Sequence, residues 1–437
     1  MDSKSRKNRK TLRYSFREGL FASGMLGFTQ DFFTPFLLFL GGTARQVGLL
    51  SALPNLFASM VQLKSPDFVR SLRSRKKIIN AFVFLQGLTV LFIAGTAIFG
   101  ILSAPALIGL VALFTGFGAL ALPAWSSLMG DLIAAERRGE YFGWRNKVLG
   151  LITVAFAFLA GLLLHYAKGI NLLWGFALVF GLAFIFRMGS LFYLSKMHEP
   201  GVDHDGDGGE SIFKFLAGAR KDNYAKFVLY VSVMYFAVYL SGPFFSVFML
   251  KDLGFSYVLY ITVTVTATLA MYLAMQRWGV HADRVGNLKV LKTSSRFIVF
   301  IPLLWVLYRE PWFLLFAQVF SGFFWAGFMI SSMNFIYDCT PPEKRTRCIA
   351  FFNALTGIGL CAGALTGGLI LKVLPPLFGH PILTLFVISS ALRFVIAFFL
   401  PFKLREVRQV EKINGDRLVW SVLGIKRIGG LERRPES

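Results

Sequence analysis

The sequence predicts an all-α polytopic membrane protein with twelve transmembrane helices in two six-helix halves. Three observations carry that prediction. Hydrophobic residues make up 55% of the 437 and charged residues 16%, against roughly 25% charged in ordinary globular chains; mean hydropathy is +0.61. The apolar residues fall in twelve long runs, and the two halves of the chain align on each other at a fixed offset. The 48 Phe and 8 Trp are more apolar surface than a soluble fold of this length can cover. A soluble enzyme, a disordered chain and a coiled coil are therefore excluded.

A helix needs about 20 apolar residues to cross a ~30 Å hydrocarbon core. Spans are expected near 17–41, 46–65, 78–101, 104–130, 141–164, 171–195, 223–250, 257–277, 288–308, 311–336, 347–371 and 381–403. The runs are continuous rather than alternating, which excludes a β-barrel. No cleavage site follows the basic segment Met1–Arg13, so the first run reads as a retained span. Loops after odd-numbered spans hold only Arg45, Lys168, Lys251, Arg309 and Lys372 of the 46 Lys and Arg. The even loops and both termini are therefore expected on the cytoplasmic face of a plasma or inner membrane. The net charge of +23 sits in short stretches between spans, where its expected partner is anionic lipid headgroups and not nucleic acid. Cys339, Cys348 and Cys361 lack metal-type spacing and read as reduced thiols; no metal and no cofactor is expected.

Residues 131–161 align without gaps on 338–368 at an offset of 207. Asp131 matches Asp338, Glu136 matches Glu343, Arg138 matches Arg345 and Asn146 matches Asn353. Gly150/Gly357, Ala155/Ala362, Ala157/Ala364 and Gly161/Gly368 complete eight identities in 31 positions. Arg187 and Arg393 correspond at 206, and Pro35 and Pro243 at 208. Six spans separate the copies, so both halves enter the membrane with the same polarity, a parallel 6+6 repeat. The expected organisation is an N-terminal segment 1–14, a first half 15–197, a linker 198–222, a second half 223–404 and a tail 405–437.

Between spans eight and nine stands Gly279-Val-His-Ala-Asp283-Arg284-Val-Gly286-Asn-Leu-Lys289, and Arg138-Gly139-x-x-Phe142-Gly143 enters span five. On these residues and the repeat, the chain resembles the major facilitator superfamily over residues 15–403. The resemblance implies secondary active transport of a small organic solute by alternating access about a midplane site, by a monomer and without enzymatic chemistry. It also implies a cytoplasmic gate formed by Gly279, Asp283, Arg284, Gly286, Lys289, Asp131, Arg138, Arg145, Asp338 and Arg345. The chain departs from the family pattern at Pro66–Lys77, where Arg70 stands at the aligned Asp position, and Phe352 replaces Arg145 in the second half. One acid–base diagonal is kept and the other lost, so Asp283 is expected to latch on Arg145 or Arg138. The plainer alternative is a solvated charge cluster.

Ionisable groups within spans are costly and point to function. Glu18, beside Arg17 near the end of span one, is explained by snorkelling. Asp31 lies about midway along span one, beside Gln30. Withdrawing a carboxylate from water favours its neutral form, as a proton-carrying site requires; it could equally balance a cationic substrate. Arg187 and Arg393 read as structural, bonding helix-end carbonyls or Asp131 and Asp338. Further cavity candidates are Tyr235, Tyr239, Ser241, Gln318, Ser321, Trp325 and Asn334, a set lean in the hydrogen-bonding groups that sugars need.

Several motifs fail on context. Gly357-Ile-Gly359-Leu-Cys-Ala362 lies inside span eleven with no preceding strand, and reads with Gly363, Gly367 and Gly368 as a smooth packing face. Asp203-x-Asp205-x-Asp207-Gly208 opens like a calcium loop, but Lys214 stands where a bidentate Glu is needed. Residues from Ser211 to Leu216 onward, and the tail around Leu418, Val419, Trp420 and Leu423, suit amphipathic helices at the headgroups. No phosphate loop, Gly-x-Ser-x-Gly or His-Glu-x-x-His occurs. The leading expectation is a transporter coupled to protons through Asp31. The alternative is a transporter-shaped sensor, scaffold or lipid-translocating protein without ion coupling.

Overall fold

The computed structural model describes residues 3–62, 74–132, 138–199, 223–340, 342–407 and 415–424. Among them, helices correspond to all twelve expected spans. Span one is the pair Ser3–Thr29 and Phe33–Phe39, and span two is Ala44–Gln62. Spans three to six are Arg75–Phe99, Ala104–Leu132, Arg138–Ala167 and Leu172–Ser195. Span seven joins Asn223–Ser241, Phe244–Val247 and a π-helical turn, Phe248–Asp252; span eight is Tyr257–Val285. Span nine joins Asn287–Ile298 and Ile301–Leu307. Spans ten to twelve are Pro311–Cys339, Pro342–Ile370 and Pro381–Phe399, and a short tail helix, Gly415–Val422, follows. Among the described residues, ten of the twelve spans are long and apolar enough to cross a membrane by length and composition. Phe92, Phe99, Trp174, Leu273 and Trp312 are exposed on them, an apolar surface suited to hydrocarbon.

Local chemistry sets the helix ends. Thr43 and Gln46 form a reciprocal capping box opening span two: Thr43 N donates to Gln46 Oε1 (2.8 Å) and Gln46 N to Thr43 Oγ1 (3.3 Å). Asn171 caps span six, accepting from the amides of Leu173 and Trp174.

Spans one, seven and nine, expected as continuous helices, are broken instead. Proline has no N–H, so the carbonyl four residues earlier loses its helical donor. Pro35 orphans the Asp31 carbonyl, and span one unwinds at Gln30–Phe32. Pro243, its repeat partner, stands at the break in span seven. Pro302 orphans the Ile298 carbonyl, and span nine breaks at Val299–Phe300.

The chain packs as two compact units that cut across its sequence halves. The first comprises Met1–Gly209, Tyr235–Val265 and Asn353–Leu385; the second comprises Glu210–Met234, Thr266–Phe352 and Phe386–Ser437. In the first unit, span one packs on spans five and six, span two on four, and span three on four and six. The segments from spans seven and eleven meet where glycines admit close backbone approach. A Cβ on Gly363 would collide with the Phe236 carbonyl, and one on Gly367 with the Leu240 carbonyl. Helix association in lipid depends on such contacts, because hydrocarbon offers no hydrophobic drive between apolar faces. Lys251 Nζ also donates to the Gly42 carbonyl (3.2 Å). In the second unit, span nine packs on span ten.

Candidate functional site

Asp31 occupies the unwound turn of span one, half-buried, between exposed Gln30 and buried Phe32. Its orphaned backbone carbonyl accepts from Tyr260 Oη of span eight (3.0 Å). Ser246 Oγ of span seven lies 3.3 Å from the same Tyr260 oxygen; because the tyrosine proton is directed to Asp31, the serine donates. Tyr260 is 2% exposed. One phenol therefore ties the breaks of two proline-interrupted spans. Sequence reasoning missed it: an aromatic in an apolar run carries no local signal, although Pro35 at four residues past Asp31 announces a carbonyl in need of a donor.

The other cavity candidates divide between the units. Tyr235 and Tyr239 of span seven lie in the first unit with Asp31, their ring centroids 6.3 Å apart; Ser241 Oγ donates to the Val238 carbonyl at the helix end (3.4 Å). Gln318, Ser321, Trp325 and Asn334 lie on span ten in the second unit. The spacing of 318, 321 and 325 places these three on one helix face, and Trp325 meets Phe328 edge-on at 5.4 Å.

Glu18 requires correction. It does not snorkel: it is buried, and accepts from Arg145 Nη2 (3.1 Å) and from Ser190 Oγ (3.2 Å). Arg145 also donates to the Ser15 carbonyl (3.2 Å), and its guanidinium lies 4.7 Å from the Trp125 ring centroid. Arg187 Nη1 donates to Ser190 Oγ (3.3 Å). The cause is helical phase: Glu18 points between spans five and six, whereas its neighbour Arg17 is exposed. Two guanidiniums and one carboxylate thus share a buried polar cluster. In the second half, Ala225 and Phe352 occupy the positions 207 residues after Glu18 and Arg145, and Phe352 stacks on Phe227 at 5.9 Å. Arg393 meets a different need: its Nη1 donates to the Ile298 carbonyl orphaned by Pro302 (3.3 Å), while Ser390 Oγ donates to the Val299 carbonyl (2.6 Å).

Between spans eight and nine, Asp283 is exposed in the last turn of span eight, and Arg284 and Lys289 are half-buried. Gly279 lies in the same helix. Gly286 adopts φ +92°, a left-handed conformation that favours glycine, and a Cβ there would collide with Glu406. Asn287 Nδ2 donates to Asp338 Oδ2 (2.6 Å). Arg145 is engaged by Glu18, while the side chains of Asp131, Arg138 and Arg345, and all of Arg70, lie outside the described residues.

Two further acids emerge. Glu406 Oε2, after span twelve, accepts from the Leu288 amide at the start of span nine (2.8 Å). Glu199, after span six, accepts from the Arg75 amide and from Ser74 Oγ at the start of span three, both at 2.7 Å. A carboxylate at a helix N-terminus meets unpaired amides and the positive end of the dipole. The two glutamates are 207 residues apart, the repeat offset, so the alignment extended past spans six and twelve would have found them. One face of the tail helix is held by protein: Leu418 and Val422 are buried, and Ser421 Oγ is hydrogen-bonded to His281 Nε2 (2.9 Å). The amphipathic stretch expected from Ser211 lies outside the described residues.

Comparison with known proteins agrees with this architecture. The sequence model of the Major Facilitator Superfamily matches residues 227–429. No curated relative matches the chain. Among solved structures, the nucleoside transporter NupG is similar at 14% identity with a TM-score of 0.68, over 91% of this chain and 99% of that one. A bacterial homologue of the iron transporter ferroportin, in an inward-facing state, is similar at 15% identity and a TM-score of 0.67, over 91% and 98%. A bacterial homologue of the human lysosomal transporter Spinster matches at 13% identity and a TM-score of 0.67, over 91% and 96%. Residues 227–429 thus match the Major Facilitator Superfamily model, and the chain as a whole shares the fold of these transporters.

Proposed function

We propose that the chain is a secondary active transporter that moves a small organic solute by alternating access and couples it to protons through Asp31. The observation that supports this reading is the broken first span. Discontinuous helices supply exposed backbone groups and local freedom where transporters of this kind hold substrate and ion. Here the unwound turn carries a carboxylate, and the break recurs at Pro243 in span seven. An acid withdrawn from water in such a turn takes up a proton from one side and releases it to the other as its surroundings change. The latch of Asp283 on Arg145 or Arg138 belongs to the same proposal; if Arg145 is the partner, it must exchange Glu18 for Asp283.

The test is Asp31→Asn in proteoliposomes, with stabilisation by candidate solutes measured at two pH values. The substitution is expected to abolish proton-driven accumulation while leaving solute counterflow. Accumulation that persists in the mutant with unchanged pH dependence removes Asp31 from the mechanism. Loss of binding at both pH values would instead assign it to the substrate.

A further inference from the structure

We infer that the tail helix Gly415–Val422 ties the loop between spans eight and nine to an anionic lipid surface, giving the gate loop a lipid-responsive clamp. This goes beyond the transport reading and does not depend on Asp31. The helix has two faces. Leu418, Ser421 and Val422 face the protein, with Leu418 and Val422 buried. His281 Nδ1 donates to the Arg277 carbonyl (2.7 Å), so Nε2 of the neutral ring accepts from Ser421 Oγ. Trp420 and Leu423, three residues apart on the opposite face, are 47% and 41% exposed.

The height of this helix argues for its occupant. His281 lies four residues before the end of span eight at Val285, about one helical turn or ~6 Å along its axis. The exposed Trp and Leu therefore stand near the boundary between hydrocarbon and water, where amphipathic side chains partition. Residues 405–437 carry eight basic against five acidic residues; in the sequence, Arg417 precedes Trp420 and Leu423, and Lys426 and Arg427 follow them. An apolar pair among bases fits anionic phospholipid headgroups. The same tail holds the gate loop from its other side, because Glu406 caps the first turn of span nine beside Gly286. Lipid that seats the tail helix thereby steadies Gly279–Lys289.

The experiment is amide hydrogen exchange on the full chain in nanodiscs of phosphatidylcholine alone or with phosphatidylglycerol added. Phosphatidylglycerol is expected to slow exchange of 415–424 and 279–289 at least about fivefold, the factor that one basic residue near an anionic surface supplies. The W420S/L423S variant should lose that lipid dependence. S421A, which leaves span eight intact, should speed exchange of both segments in either disc. Equal exchange in the two lipids overturns the inference, as does a lipid effect that survives W420S/L423S.

Discussion

Tyr260→Phe removes one oxygen and keeps the ring that fills the site. Tyr260 is 2% exposed, so little water reaches the space its hydroxyl leaves. The Asp31 carbonyl, deprived by Pro35 of its helical N–H, loses the partner at 3.0 Å, and Ser246 Oγ loses its acceptor. An unsatisfied buried carbonyl costs about 1–3 kcal/mol. For a unit of about 270 residues, about 2–4 °C of Tm accompanies each kcal/mol, a fall of roughly 2–12 °C. Pro35→Ala supplies the missing N–H, and relieves a helix-interior proline costing about 3 kcal/mol. In that background Tyr260→Phe should cost less, by at least about 1 kcal/mol of coupling. The assay is thermal unfolding of the purified single and double mutants in one detergent. Pro35→Ala should also slow transport while raising Tm, because the break itself is removed. An equal loss from Tyr260→Phe in both backgrounds would refute the proline–tyrosine account.

Other perturbations probe the ion cluster and the caps. Glu18→Gln leaves two buried guanidiniums against a neutral partner and should cost about 3–5 kcal/mol, a Tm drop on the order of 10 °C. Adding Arg145→Met should recover most of that loss; a double mutant less stable than both single mutants would rule out the pairing. Glu406→Gln should remove about 1 kcal/mol of charge stabilisation at the start of span nine and speed exchange of the Leu288 amide about fivefold. Glu199→Gln should do the same to the Arg75 amide, and an effect at one site alone would show that the two caps are not equivalent.

The twelve spans and the duplication were legible because each rests on one-dimensional signals: runs of about 20 apolar residues and charged identities at a constant offset. The turn between spans eight and nine was equally legible, since a glycine at φ +92° and its flanking charges lie within eleven consecutive residues. Glu18 was misread because snorkelling and burial differ only in helical phase relative to spans five and six, more than a hundred residues away. The tail helix was legible as amphipathic, but which of its faces meets protein depended on His281.

What the sequence determined by itself was where backbone hydrogen bonds would fail, since Pro35, Pro243 and Pro302 remove donors wherever the chain goes. What tertiary structure alone decided was who makes good the loss. Tyr260 serves Asp31, and Arg393 serves Ile298. The physical reason is one of range. A missing N–H is a property of one residue and its neighbour four positions away, whereas a replacement donor can come from any helix that packing brings within about 3 Å.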